Sequence, residues 1–277
     1  MTVCIAAMAE KGCALVLCAD RQRTQGDMRH QGRLPKKREI GYGWCFLYED
    51  NGTRADEFRD EIQDRLNLNY GYLLWPAQQE REALMTEREI VADIRSVFIE
   101  LRDKTIKTGV LGLDETKLDL GLLVVGFDQN LEAAGYRIFD TGDYESIREV
   151  GYGVLGSGED VANAALAQLG ITMDDPLDHV LYNVYEAKRR ADKIIVSVGS
   201  PTDLWIMTDK LRLQTQRVVK HEDNAVVVPP RILQVLSEVF EWRSAPPWSV
   251  SSEPRSGYWR SELADYCGAV MRGERPA

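Results

Sequence analysis

Thr2, which follows the initiator Met1, is the first side chain in the sequence that could do chemistry. Because threonine is small, we expect Met1 to be removed, which would leave Thr2 at the start of the chain. Thr2 would then carry a hydroxyl and a free α-amine, whose pKa of about 7.7–8.0 leaves part of it neutral near pH 7. A neutral amine can act as the base for its own hydroxyl. The alternative is that Thr2 is only a small residue after methionine, which is common.

Two charged residues stand at the ends of apolar runs and could serve this hydroxyl. Asp20 ends the second apolar run, directly before Arg21, and Lys36 follows 16 residues later. A buried carboxylate that holds a lysine ammonium would be one way to bring a positive charge to a hydroxyl. The alternatives are that Asp20 caps a turn and pairs with Arg21 or Arg23, and that Lys36 belongs to a solvated basic run.

The segment Gly156-Ser157-Gly158 joins a predicted strand to a predicted helix in the second half of the chain. Ser157 could cap that helix, with Asp160 three positions on in a pattern similar to a capping box. Gly151, Gly153 and Gly156 also match the spacing of a dinucleotide-binding loop. Asp174 and Asp175 stand near the expected ribose-binding position, but they precede a helix instead of ending a strand. The spacing alone therefore does not establish a nucleotide site.

Taken together and in this order, these segments resemble the proteasome β-subunit family and its bacterial proteasome-like relatives. The resemblance rests on Thr2-Val3, Ala14–Arg21, Pro35-Lys36, Leu122–Phe127 and Gly156-Ser157-Gly158, and it spans roughly residues 2–207. The most specific parts are the strand-ending Ala-Asp-Arg and the Gly-Ser-Gly before a helix. The resemblance implies an α+β fold, the four-layer αββα sandwich of N-terminal-nucleophile hydrolases.

The family cleaves peptide bonds with an N-terminal threonine, and its site residues carry over by position. The resemblance implies that Thr2 is the nucleophile and, through its amine, the general base. It also implies that Asp20 orients Lys36, that the Lys36 ammonium lowers the pKa of the Thr2 hydroxyl, and that Ser157 helps to place protons. No metal or cofactor is expected. A homo-oligomeric ring or stacked assembly is implied, and whether an ATP-dependent unfoldase feeds it stays open.

Three departures from the family pattern bear on catalysis. The first hairpin is about two residues longer than usual between Thr2 and Asp20. The family's Ala-Gly, whose glycine amide helps to stabilise the oxyanion, is expected near Tyr48-Glu49-Asp50, where an acidic residue stands. A family aspartate would fall near Ile195, and the nearest carboxylate, Asp192, does not align with it.

Composition excludes several other classes of protein. The formal net charge of −10 argues against nucleic acid or an anionic membrane as the main partner. The apolar start lacks a basic leader, and no apolar run approaches the length of a membrane span. An odd number of scattered cysteines and three histidines without a ligand motif predict reduced thiols, no zinc site and a cytoplasmic location.

The order of predicted elements is two strand pairs, two helices, three strands, two helices and closing strands, which suits a layered α+β domain. The first helix is predicted from Ala55, Phe58, Ile62 and Leu66, which recur at helical spacing. The third strand of the second half is expected over Ile147–Leu155, and one closing strand is expected at Leu211–Val219.

We predict one domain over residues 1–242 and a C-terminal extension over residues 243–277, drawn out as a tail. Residues 21–35 read as a loop. An insertion at Tyr70–Gln78 and the extension have no counterpart in the family pattern, and we expect them to serve assembly.

The sequence thus predicts a threonine-type amide hydrolase, most simply a peptidase. Two other functions stay open. One is a non-catalytic proteasome-like scaffold that binds a partner. Retention of Met1, which leaves Thr2 inert, would decide in favour of this function. The other is a hydrolase of small amides, in which the acidic residue near position 49 selects a basic substrate.

Overall fold

The computed structural model of the chain is an α+β fold with two five-stranded antiparallel sheets. Among the residues it describes, no helix combines the length and the apolar character needed to cross a membrane. The described residues are 2–20, 22–25, 28–31, 35–41, 43–70, 86–107, 120–128, 130–195, 202–211, 225–244 and 259–276.

The first sheet carries the N-terminus. Strands β1 (Cys4–Ala9) and β2 (Ala14–Asp20) form its centre as an antiparallel hairpin, which confirms the first predicted strand pair. The runs are short and bounded by Glu10-Lys11-Gly12, so that each favours a buried strand over a helix. The outer strands of the sheet are β10 (Tyr152–Leu155), β11 (Thr202–Thr208) and β12 (Ala225–Val227), in the spatial order β10-β1-β2-β11-β12.

The second sheet has its strands in nearly sequential order. It consists of β5 (Lys37–Gly41), β6 (Trp44–Asp50), β7 (Leu120–Phe127), β8 (Ala133–Ile138) and β9 (Tyr144–Ser146). The predicted hairpin of β5 and β6 is confirmed, and so is the buried apolar strand β7. Lys36 directly precedes β5, so this sheet sets the position of the lysine.

Helices cover both sheets. They are α1 (Gly52–Tyr70), α2 (Glu87–Lys107), α3 (Glu159–Leu169), α4 (Leu177–Ile194), α5 (Pro230–Ser244) and α6 (Trp259–Met271). In α1, Ala55, Phe58, Ile62 and Leu66 recur at helical spacing and are buried, as the sequence predicts.

Three apolar clusters form the core. One lies between β1, β2, β10 and β11 on one side and α3 to α6 on the other, and includes Ile5, Val16 and Val184. A second lies between the other sheet and helices α1 and α2. The third draws alternate residues from both sheets, such as Leu17 and Leu123, so the two sheets bury a face against each other.

The expectation that residues 21–35 form a loop is wrong for two segments. β3 (Gln22–Gln25) and β4 (Met28–Gln31) pair as a separate two-stranded hairpin. Neither segment has the apolar alternation that marks a half-buried strand, so only the intervening Gly26-Asp27, a dipeptide favoured in tight hairpins, could have signalled it.

The expected strand over Ile147–Leu155 begins late, at Tyr152. The N–H of Gly151 closes a turn onto the carbonyl of Ile147 at 2.9 Å, and the glycine takes a φ of +82°. The turn separates β9 from β10 and lets β10 join the first sheet.

The C-terminal extension is not simply a drawn-out tail, because part of it is helix α6. Leu263 and Val270 of α6 are buried in the same core cluster as α4. Most of the Tyr70–Gln78 insertion and of the strand predicted at Leu211–Val219 lies outside the described residues.

Candidate active site

Thr2 lies at the start of β1 and is almost completely enclosed, at 1% exposure. β1 is flanked by β2 and β10, so the end of β2 and the loop after β10 both come to the threonine. The β1–β2 register runs without a bulge from Cys4 opposite Ala19 to Ala9 opposite Ala14. The Thr2 end of the hairpin therefore has regular pairing, and the irregular backbone lies at the far turn, where Glu10 and Lys11 have positive φ.

The hydroxyl of Thr2 contacts both Asp20 and Lys36, the two charged residues that the sequence indicates as its partners. The ammonium Nζ of Lys36 lies 2.7 Å from Oδ1 of Asp20. Lys36 also donates to Oγ1 of Thr2, which donates in turn to Oδ1 of Asp20. Asp20 is fully buried and Lys36 is 4% exposed, so the charges are withdrawn from water and their interactions are strengthened.

These contacts contradict a solvated role for Lys36 and an exposed turn-cap role for Asp20, whereas a pairing of Asp20 with Arg21 or with the side chain of Arg23 lies outside the described residues. Asp20 is the buried partner of a lysine and a threonine, so it does not act as an exposed turn cap. The basic run that begins at Lys36 is not a solvated one, because Lys37 and Arg38 are buried as well. Lys37 pairs with Glu39, and Arg38 pairs with Asp56 at 2.6 Å. Within the described part of the chain each of these three bases pairs with a different acid, and Lys36 is the one that contacts Thr2.

Ser157 contacts the main chain of Thr2. The backbone N–H of Thr2 donates to Oγ of Ser157 at 3.1 Å, and that hydroxyl lies 3.3 Å from the carbonyl oxygen of Thr2. The N–H of Gly158 donates to the same carbonyl at 3.2 Å. The capping role predicted for Ser157 is wrong, because Gly158 occupies the N-cap of α3 and no side-chain hydrogen bond caps the helix.

Gly156 must be a glycine for Thr2 to lie where it does. A Cβ at this position would stand 2.3 Å from the carbonyl oxygen of Thr2, and the residue has a φ of +104°. Packing also accounts for the other two glycines of the dinucleotide-like spacing. Gly151 lies against Met173, and Gly153 lies under Ile147.

Cys4 lies two residues after Thr2 and does not compete with it as a nucleophile. Its thiol donates to the carbonyl oxygen of Tyr48 at 3.4 Å. Burial raises the pKa of Cys4 to about 12, and the Lys36 ammonium opposes that rise only in part. The thiolate is therefore negligible near neutral pH.

Glu49 lies in the regular part of β6, opposite Gly121 of β7. A Cβ on Gly121 would come within 2.4 Å of the Glu49 carboxylate, so this side chain lies over the backbone of β7. The first glycine after β6 is Gly52, where α1 begins. Asn51 caps this helix, since its Oδ1 accepts from the N–H groups of Thr53 and Arg54 at 3.1 and 3.2 Å. Gly52 is therefore a candidate for the glycine whose backbone N–H would stabilise an oxyanion. The family pattern places this glycine near position 49, and the Asn51-Gly52 start of the helix is the signal that could have identified it.

Asp192 lies in the last turns of α4, where its Oδ2 is 2.7 Å from Nζ of Lys188. Burial raises the pKa of Asp192, and the negative charge of Asp20 adds to the rise. The carboxylate thus shares an electrostatic environment with the Thr2 site, although it does not align with the family's aspartate. Ile195 is the last described residue of this segment.

No three His, Cys, Asp or Glu side chains come together as a metal site within the described part of the chain. All five cysteines are described and none forms a disulfide, as expected for reduced thiols.

A comparison with protein-family models gave no match, and a comparison with curated proteins gave none.

Proposed function

We propose that this chain is a threonine-type N-terminal-nucleophile amide hydrolase that acts on peptide bonds and is related to the proteasome β-subunits. The observation that carries the proposal is the contact of the Thr2 hydroxyl with the buried Lys36–Asp20 pair, beside Ser157 on the Thr2 main chain. Two sheets that bury a face against each other, with helices outside, are consistent with the αββα sandwich of that family. A cytoplasmic homo-oligomer is part of the proposal and rests on the resemblance.

Removal of Met1 would turn the Thr2 N–H into a primary amine next to Ser157. The amine takes the hydroxyl proton while Oγ1 bonds to the substrate carbonyl carbon, and the Lys36 ammonium stabilises the developing alkoxide. The scissile C–N bond then breaks, and its nitrogen leaves with the proton from the ammonium of Thr2. Water attacks the resulting ester and gives one proton to the amine. The ester C–Oγ1 bond then breaks, the Thr2 ammonium returns that proton to Oγ1, and the acid product leaves.

The negative charge on the carbonyl oxygen needs a donor, and we assign that role to the backbone N–H at the start of α1. The N–H groups of Thr53 and Arg54 already donate to Asn51, so the donor that we assign is the N–H of Gly52, the first residue of the helix, at the positive end of the helix dipole. Replacement of the family's glycine by Glu49 would then not remove the oxyanion donor.

The scaffold alternative keeps one observation in its favour, namely that Thr2 is 1% exposed. With Met1 attached, the Thr2 nitrogen is an amide and cannot act as a base, so such a chain would be inert whatever its fold. The state of the N-terminus therefore separates the two functions.

Two preparations that differ only at the N-terminus test the proposal. One starts at Thr2, obtained with methionine aminopeptidase, and the other keeps Met1, with intact mass confirming each. We expect peptide-amide hydrolysis, and acylation of Thr2 by a β-lactone, only in the form that starts at Thr2. Equal activity of the two forms, or no activity of either on peptides and simple amides, would contradict the proposal. Turnover of simple amides alone would indicate the small-amide hydrolase.

Substitutions of Lys36 and of the adjacent Lys37 test whether the positive charge at Thr2 comes from Lys36 specifically. We expect Lys36→Met to lower kcat/KM roughly 10²- to 10³-fold, because the cation at the reacting oxygen is lost. Lys37→Met is the matched control, since Lys37 is equally buried but pairs with Glu39, and it should keep most activity. Both variants are checked by steady-state kinetics and circular dichroism. Equal losses in the two variants would argue against a specific role for Lys36.

A further inference from the structure

Helix α4 carries a lysine that is completely withdrawn from solvent. Lys188 has 0% exposure and its Nζ lies 2.7 Å from Oδ2 of Asp192, one turn further along the helix. Arg189 approaches the same oxygen at 3.6 Å. A fully buried lysine is rare among soluble proteins, and it needs a charged partner.

This pair lies against the strand that ends in Asp20. α4 packs on β1 and β2, and Cys18 of β2 belongs to the core cluster that α4 covers. Alternate residues of a strand share one face of the sheet, which places Asp20 on the same face as Cys18. Lys188, Asp192 and Asp20 all act on the pKa of the Cys18 thiol, which burial raises. The pair and the catalytic carboxylate thus lie around one buried thiol.

Stability does not explain the pair. A buried ion pair often contributes no more to folding than apolar residues of the same size, because both charges lose their hydration. In addition, Oδ1 of Asp192 is buried and has no hydrogen-bond partner among the described residues. An arrangement that is neutral or costly for stability points to a role in the site.

The charged and titratable groups around Lys188 come from several elements. Asp192, Arg189 and Tyr185 lie on α4 itself, and Cys18 and Asp20 lie on β2. Glu241 of α5 faces Arg189 at 3.5 Å. Arg189 thus lies between Asp192 and Glu241, and the Lys188–Asp192 pair and the Lys36–Asp20 pair are both buried.

We propose that the Lys188–Asp192 pair is a second buried charge pair that serves the Thr2 site, with Lys188 acting as a positioning residue whose charge sets the proton affinity of the Thr2 amine. The inference rests on the proposed function, since it treats that amine as the base. Among the described residues the contact of Lys188 is with Asp192 and not with a reacting atom, so Lys188 acts through the field around Asp20.

The signs of the effects are opposite for the two partners. Loss of the positive charge of Lys188 stabilises the protonated state of nearby titratable groups, so the pKa of the Thr2 amine should rise. Loss of the Asp192 charge should lower the pKa of the amine for the converse reason. In a buried site each shift should amount to roughly half a pH unit or more. A role in packing alone would not reverse sign between two neighbouring residues.

The experiment measures the pKa of the Thr2 amine by competitive acetylation and mass spectrometry, in protein that starts at Thr2. We compare Lys188→Met and Asp192→Asn with the wild type, and Lys193→Met serves as the control because Lys193, on the same helix, is about half exposed and pairs with Glu241. We expect a rise in Lys188→Met, a fall in Asp192→Asn and no change in Lys193→Met. Any other pattern for the two buried residues overturns the inference.

Two further variants keep the test valid if Lys188→Met folds poorly. Lys188→Arg retains the charge and should leave the pKa of the amine at the wild-type value. The double variant Lys188→Met/Asp192→Asn removes both charges and should also fall near the wild type, and a displaced pKa in either variant would overturn the inference. Acetylation needs no turnover, so an inactive wild type would refute the proposed function and still leave this inference testable.

Discussion

Thr2→Ala is expected to lower amide hydrolysis by at least about 10³-fold, since loss of a nucleophile removes the covalent route altogether. Thr2→Ser should retain most of the turnover, because serine supplies both the hydroxyl and the α-amine. Alanine and serine are both small enough for Met1 removal, so intact mass can verify that the variants differ only in the side chain. Steady-state hydrolysis of a peptide amide gives the comparison.

The two variants also report on the contacts of the hydroxyl. In Thr2→Ala the Lys36–Asp20 ion pair loses the oxygen that lies between its members, but the pair itself is kept. The free energy of unfolding should therefore change little, and loss of activity cannot be ascribed to unfolding. Undiminished hydrolysis by Thr2→Ala would refute the mechanism, whatever the fold.

The sequence predicts those site residues that lie directly at the end or at the start of an apolar strand. Asp20 could be found because it closes an uninterrupted apolar run, and Lys36 because it precedes another strand at the family's interval. The burial of β1 and β2 could also be predicted, since two short apolar runs on either side of Glu10–Gly12 favour paired, buried strands over a helix. Position along the chain is enough for β1 and β2, because a short turn joins these two strands.

Burial of charge was not predictable, because it depends on which strands and helices pack against the charged side chain. Lys37 and Arg38 look like a solvated run, but strand β5 turns them towards Glu39 and Asp56. Lys188 stands in a charged stretch of α4, and only the packing of this helix on β2 reveals its 0% exposure. The burial of helix α6 was equally unpredictable, because its apolar side chains are buried only through packing in the core cluster that also contains α4.

The sequence also provided little basis for predicting the β3–β4 hairpin or the contact of Ser157. β3 and β4 pair without any apolar pattern, so the hydrophobic periodicity on which strand prediction depends carries no information there. Ser157 shows the converse case. Its sequence context fits helix capping well, but its hydroxyl lies at the main chain of Thr2, a contact over 155 residues of sequence.

Gly156→Ala should disable the site without altering any side chain in it. The new Cβ would stand 2.3 Å from the carbonyl oxygen and 2.8 Å from Cγ2 of Thr2, so the start of β1 must shift. A displacement on the order of 1 Å at a reacting group can cost about 10²-fold in rate. We expect at least that loss in kcat/KM, and the positive φ of Gly156 should add about 1–3 kcal/mol of destabilisation.

Gly170→Ala is the matched control, because Gly170 also has positive φ but a Cβ there would meet no atom within 4 Å. Its left-handed conformation should cost about 1 kcal/mol in the free energy of unfolding, while kcat/KM should stay at the wild-type value. Denaturant unfolding and peptide hydrolysis, measured on both variants, separate backbone strain from displacement of Thr2. If the two variants lose activity alike, strain alone explains the loss. If only Gly156→Ala does, the close approach of this glycine to Thr2 is what holds the nucleophile in place.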